Sequence, residues 1–93
     1  MFHERIRLMR EAYRWDQTEL AKQLGVSKQS VSNWENNNIL PSIDMLTKLS
    51  GVFRVSTDFL LGLDDRVTID VTGLDEEMVA HLQSLVNALR GNK

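Results

Sequence analysis

The chain has 93 residues and no cysteine, which leaves room for one small domain and excludes a disulfide framework, a thiol nucleophile and a cysteine-bound metal cluster. Hydrophobic residues make up 42% and charged residues 26%, the balance of an ordinary globular protein with a core. The net charge of −2 argues against a protein that coats nucleic acid by bulk positive charge, but residues 1–63 hold eight Lys/Arg against seven Asp/Glu and residues 64–93 hold three against six. Phosphate contacts are therefore expected in the first part and a protein partner at the acidic second part. No apolar run reaches signal-peptide or membrane-spanning length, so a cytoplasmic protein with no membrane partner is expected.

Phe2, Ile6, Met9 and Tyr13 recur at helical spacing with Arg5, Arg7, Arg10 and Arg14 between them, which predicts an amphipathic first helix with a basic outer face. Asp16 can cap a second helix starting at Gln17, with Glu19 completing a capping box and Trp15 stapled onto Leu20. Gly25 ends that helix near Leu24. Ser27 then caps a third, running from Lys28 to about Asn36 with Val31 and Trp34 on its apolar side. Asn36, Asn37 and Asn38 break it. Pro41 and Ser42 open a fourth helix, with Ile43, Leu46, Leu49 and Phe53 expected inward, and Ser56 caps a short fifth one closed by Gly62. The short glycine-bearing link between the second and third helices is that of a helix-turn-helix.

Past Asp64 and Asp65 the period changes from 3.6 to 2: Val67, Ile69 and Val71 alternate with polar residues, which predicts a β-strand. Leu74 and Asp75 then start a last helix with Met78, Val79, Leu82, Leu85, Val86 and Leu89 on one face. A lone strand and a lone apolar stripe both need a partner. Pairing with a second copy through Val67, Ile69, Val71, Met78, Leu82, Leu85, Val86 and Leu89 is expected, the alternative being that the stripe folds back onto the five-helix core.

A helix-turn-helix places its second helix in the major groove of DNA, and that helix needs an apolar side to dock and a polar side to pair with base edges. The third helix has both, since Lys28, Gln29, Ser32, Asn33 and Asn36 share its outer face. Gln and Asn can bond an adenine edge, and Lys can reach guanine O6 and N7. Asn36 and the asparagines after it stand where the chain would leave the groove past a phosphate, and Gln17 stands at a helix start where a phosphate can bind. His3 and His81 have no second ligand at metal-binding spacing, no serine has an adjacent base, and there is no phosphate-cradling loop. No metal, no cofactor and no enzymatic activity are expected. Trp15 and Trp34 lie in staple and core patterns, so packing is favoured over stacking on single-stranded nucleic acid.

Residues 4–62 resemble the phage-repressor-like (Cro/CI, Xre-type) helix-turn-helix family. The resemblance lies in the run from Asp16 to Ser27, in Ser30-Val31-Ser32-Asn33-Trp34-Glu35-Asn36, in Leu40-Pro41, in Leu46-Thr47-Lys48-Leu49 and in Val55-Ser56-Thr57-Asp58-Phe59-Leu60-Leu61-Gly62. It implies a mainly α fold: a five-helix lambda-repressor-like DNA-binding bundle over residues 1–63, followed at 64–93 by a strand and a C-terminal dimerisation helix. It further implies a homodimeric repressor on an inverted-repeat operator, with Lys28, Gln29, Ser32 and Asn33 at base-reading positions. Gln17, Ser27, Ser30, Asn36 and Asn38 fall at phosphate-contacting ones. Arg10 and Glu35 match an ion pair between the first and third helices found in some members. Glycines common in the family are replaced here by Arg14, Asn37 and Arg54, and basic residues after the reading helix by Asn38 and Ile39, which implies modest affinity. A different class remains open: a protein-interaction module on this scaffold, such as an antitoxin or an adaptor with a regulatory protein partner. A regulator governed by a small molecule at the dimer interface is a third.

Overall fold

In the computed structural model, which describes residues 2–64 and 68–91, six helices follow one another: α1 (Phe2–Ala12), α2 (Gln17–Leu24), α3 (Lys28–Glu35), α4 (Ile43–Phe53), α5 (Thr57–Leu61) and α6 (Glu76–Leu89). Every helix after α1 starts by the same device. Asp16, Ser27, Ser42, Ser56 and Asp75 stand in extended backbone, and the side chain of each accepts a hydrogen bond from the backbone N–H three residues on. A cap of this kind contributes about 1 kcal/mol, a large share for helices too short to form alone in water. At α2 only half of the expected capping box forms: Asp16 accepts from Glu19 N, while the Glu19 carboxylate accepts from Gln23 Nε2 one turn ahead, at 2.9 Å.

Each of the first five helices is followed by a left-handed residue: Arg14 (φ 61°), Gly25 (73°), Asn37 (60°), Arg54 (56°) and Gly62 (75°). Glycine adopts this conformation freely, but at Arg14 and Arg54 a Cβ crowds the following carbonyl, at a cost of about 1–2 kcal/mol each. The three non-glycine positions are those where the resemblance places glycine. The chain keeps the tight turn and carries the strain.

Phe2 and Ile6 of α1, Leu20, Ala21 and Leu24 of α2, Val31 and Trp34 of α3, Leu49 and Phe53 of α4, and Phe59 and Leu60 of α5 form one buried core. Trp15 is half-buried against it. Tyr13, just past α1, donates its hydroxyl to the Phe53 carbonyl at 2.8 Å and lies against the Trp15 and Phe53 rings, which ties the end of α1 to α4. α1 packs on α3 and α5, α2 on α3 and α4, and α4 on α5.

Ile43, expected inward, is 83% exposed. The buried row of α4 runs through Leu49 and Phe53, and one turn earlier it passes through half-buried Met45. Ile43, two positions before Met45, lies about 200° round the helix from that row.

The expected β-strand is absent among the described residues, and Val67 lies outside them. Residues 68–71 take no regular secondary structure and have no neighbouring strand among the described residues to supply a ladder, without which an alternating segment is not a strand. Local bonds shape it instead: Asp70 Oδ1 accepts from Thr72 N at 2.9 Å, and Leu74 N donates to the Val71 carbonyl at 3.1 Å. Those bonds turn the chain into α6. Arg54 reaches Asp70 at 3.8 Å across to the bundle.

Candidate nucleic-acid interface

The link from α2 to α3 is held at both ends by backbone chemistry. The Gly25 N–H bonds the Ala21 and Lys22 carbonyls, Val26 N bonds Ala21 O at 3.0 Å, and Lys48 of α4 donates Nζ to the Leu24 carbonyl at 3.2 Å. A left-handed glycine with these bonds satisfies the free carbonyls of α2 and reverses the chain in two residues. Ser27 then caps Ser30 N, with the two hydroxyls 3.1 Å apart.

α3 buries Val31, Trp34 and Glu35 and turns its polar residues outward. Lys28 and Gln29 are exposed, Ser32 and Asn33 half-buried, and Asn36 and Asn38 exposed beyond its last turn. Two bonds one turn apart order this face: Gln29 Nε2 donates to Asn33 Oδ1 at 3.0 Å, and Asn36 Nδ2 donates to Ser32 Oγ at 3.2 Å. The first leaves Gln29 Oε1 as an acceptor beside the free amide hydrogens of both residues, the donor and acceptor mixture that matches an adenine edge. Lys28 adds three donors at the start of the helix.

Beneath this face lies a charged node. Glu35 is 2% exposed, and its carboxylate takes Arg10 Nε at 2.7 Å on one oxygen and Arg10 Nη2 at 3.0 Å on the other. Arg7 Nε reaches it at 3.4 Å and Gln17 Nε2 at 3.2 Å. Arg10 also donates Nη1 to the Trp15 carbonyl at 2.8 Å, so one guanidinium binds the α1–α2 link and the end of α3 together. Burial pushes the Glu35 carboxyl up, but the bonds from Arg10 and Gln17, the Arg10 charge and the Arg7 bond outweigh it and hold the group below the usual carboxylate range. The Arg10 guanidinium is raised in turn, chiefly by its bond to Glu35.

Two features of this node go beyond the sequence expectation. Gln17, assigned by resemblance to a phosphate, points its amide inward at Glu35, and half-exposed Arg7 joins the same carboxylate. The legible signal for Arg7 is its place one turn before Arg10 on α1. Arg5 serves elsewhere, lying 4.5 Å from the Phe59 ring centre and donating to the Phe59 carbonyl.

Comparison with known proteins places these observations in a family. The helix-turn-helix family model matches residues 6–60. The HTH-type transcriptional regulator ImmR of Bacillus subtilis (strain 168) is 37% identical over 62 residues, covering 67% of this chain and 49% of the relative. Among solved structures, the P22 c2 repressor in complex with synthetic operator 9T superposes with a TM-score of 0.65 at 36% identity, over 69% of this chain and 97% of that one. The SinR protein/SinI protein complex gives 0.64 at 31% identity, over 95% and 81%. The chain spans about half the length of the curated relatives it matches. Residues from α1 to α5 carry the family's match, and the chain belongs to the helix-turn-helix family of Cro/CI-type (Xre-like) transcriptional regulators.

Proposed function

We propose that the protein is a sequence-specific, double-stranded-DNA-binding transcriptional regulator, a homodimeric repressor that reads an inverted-repeat operator in the major groove. The observation that carries this reading is the outer face of α3, polar throughout and fixed from behind by Val31, Trp34 and the Arg10–Glu35 node. Residues 1–63 form the DNA-binding unit and 64–93 the dimerisation tail. Lys28, Gln29, Ser32 and Asn33 read bases, while Ser27, Ser30, Asn36 and Asn38 contact phosphates, together with Gln17 through the N-terminus of α2 and the amide hydrogen it does not give to Glu35. The likeness to a repressor solved on a synthetic operator supports the same docking. Two half-sites are expected with centres about 10 base pairs or a small multiple apart.

The experiment is selection of bound duplexes from a randomised library with the purified chain at near-physiological salt. Enrichment of an inverted repeat is the expected result; no enrichment of any sequence refutes the base-reading assignment. A second reading, a regulatory protein bound at the tail, is favoured by the likeness to the SinR/SinI complex, which extends over 95% of this chain. Stoichiometric co-purification of another protein, with no preference among duplexes, would select it.

A further inference from the structure

No residue of α6 is buried, and Met78, Leu85 and Leu89 are 53%, 54% and 78% exposed. The helix takes part in none of the packed pairs that build the bundle. The alternative in which its stripe folds back on the five-helix core is therefore not the arrangement of this chain. Residues 69–71 flank the stripe, and Ile69, Val71, Val79, Leu82 and Val86 line a groove of about 360 Å³ between them. Met78, Leu85 and Leu89 lie outside that groove, Leu82 forms its rim and is itself 39% exposed, and an apolar row of this kind marks an interaction surface.

We propose that a second copy of the chain covers this row, with the two α6 helices antiparallel and in a single register. The proposal rests on the homodimer reading above and adds its geometry. The row advances by four, three and four residues, and that order is the same read backwards. Reversing one copy sets Met78 opposite the partner's Leu89 and Leu82 opposite the partner's Leu85, so each apolar residue meets another across a twofold axis.

Charge selects the same arrangement. α6 has Glu76 and Glu77 in its first turn and Arg90 at its C-cap. In the antiparallel register Glu77 comes level with the partner's Arg90, with Glu76 one position away. A parallel pair in register would instead place each of these residues beside its own copy, two acidic turns at one end and two arginines at the other. The helix dipoles also oppose each other favourably only in the antiparallel pair. A surface complementary to itself under reversal fits a second copy better than it fits an unrelated helix.

The absence of cysteine from the chain makes disulfide trapping a clean test. Sedimentation of the unaltered full chain first establishes whether it is a dimer. Met78→Cys, Leu89→Cys and the double variant are then oxidised mildly and run without reductant; all three are exposed-site changes that leave the core intact. In the antiparallel pair the two copies of position 78 are about 16 Å apart along the axis, far beyond the reach of a disulfide. Covalent dimer is therefore expected as the main species from the double variant, and from an equimolar mixture of the two single variants, but not from either alone. Covalent dimer from a single variant alone would establish a parallel pair and overturn the proposal while leaving the homodimer in place. A dimeric chain that cross-links in no combination would show that another surface forms the dimer, and the proposal would fall. A monomeric unaltered chain would remove the homodimer reading and the proposal together.

Discussion

Arg10 holds Glu35 by two hydrogen bonds, 2.7 and 3.0 Å long, across the packing of α1 on α3. The carboxylate side chain is fully shielded from solvent and the guanidinium nearly so. An ion pair so placed adds little net stability, because the desolvation of two charges offsets their attraction. It ties α1 to α3 at a point next to the polar face, since Glu35 follows Trp34 and directly precedes Asn36, and its expected effect is on the orientation of α3.

Removing one partner should cost far more than removing both. Arg10→Met leaves the Glu35 carboxylate with only Gln17 and half-exposed Arg7, and is expected to destabilise the fold by about 3–5 kcal/mol. Arg10→Met with Glu35→Leu should recover most of that loss. Urea unfolding of the two variants checks it, and equal stability of the single variant and the parent would show that the pair does not govern the packing of α1 on α3.

Acid should act through the same residue. The Glu35 carboxyl lies below its ordinary value in the folded chain, so the unfolded chain binds a proton there more readily. Its contribution is present in full above the unfolded value of about 4.3 and is lost as pH falls through the lower folded value. Unfolding midpoints measured from pH 6 down to pH 3 should fall, and Glu35→Gln should flatten that fall.

On the outer face of α3, Gln29→Ala or Asn33→Ala is expected to cost about 1–3 kcal/mol on the selected duplex and to relax discrimination at one base position. Gln17→Ala should weaken all duplexes alike, by fluorescence anisotropy on specific and random DNA. Because Gln17 also bonds Glu35, its variant should be less stable as well, a coupling that Gln29 and Asn33 lack.

With Asn38 and Ile39 following α3 in place of basic residues, few phosphates are expected to be neutralised. The slope of log K against log salt should be no steeper than about −6, measured between low and physiological salt.

The left-handed arginines offer a test of strain alone. Arg14 is exposed at φ 61°, and Arg14→Gly removes about 1–2 kcal/mol of strain while adding about 0.4–1 kcal/mol of unfolded-state entropy. A net gain of about 0.5–1 kcal/mol is expected in thermal unfolding. Arg54→Gly should behave similarly, since its contact with Asp70 is exposed and worth little.

Features written within three or four residues are legible in the sequence. Asp16, Ser27, Ser42, Ser56 and Asp75 cap the amide three residues on whatever the rest of the chain does, and the glycines at 25 and 62 end their helices for the same local reason. Arg14, Asn37 and Arg54 are a different case: nothing in an arginine announces a left-handed backbone, and only the family's glycines at the matching positions point there. The Ile43 and strand expectations fail for different reasons. Ile43 is apolar but does not share a face with Leu49 and Phe53, and apolar character alone does not place a residue on the buried row. Residues 68–71 alternate as a strand does, but a periodic pattern does not say whether a neighbour is there to pair with.

Neighbours in the chain set where the helices start and stop, which face of α3 is polar and which family the bundle resembles, because caps, turns and periodicity act over a few residues. That Gln17 and Arg7 share the Glu35 carboxylate, and that α6 buries none of its residues, emerges only from how the helices pack. Those contacts join residues 18 to 28 positions apart, and their geometry exists only once helices have packed.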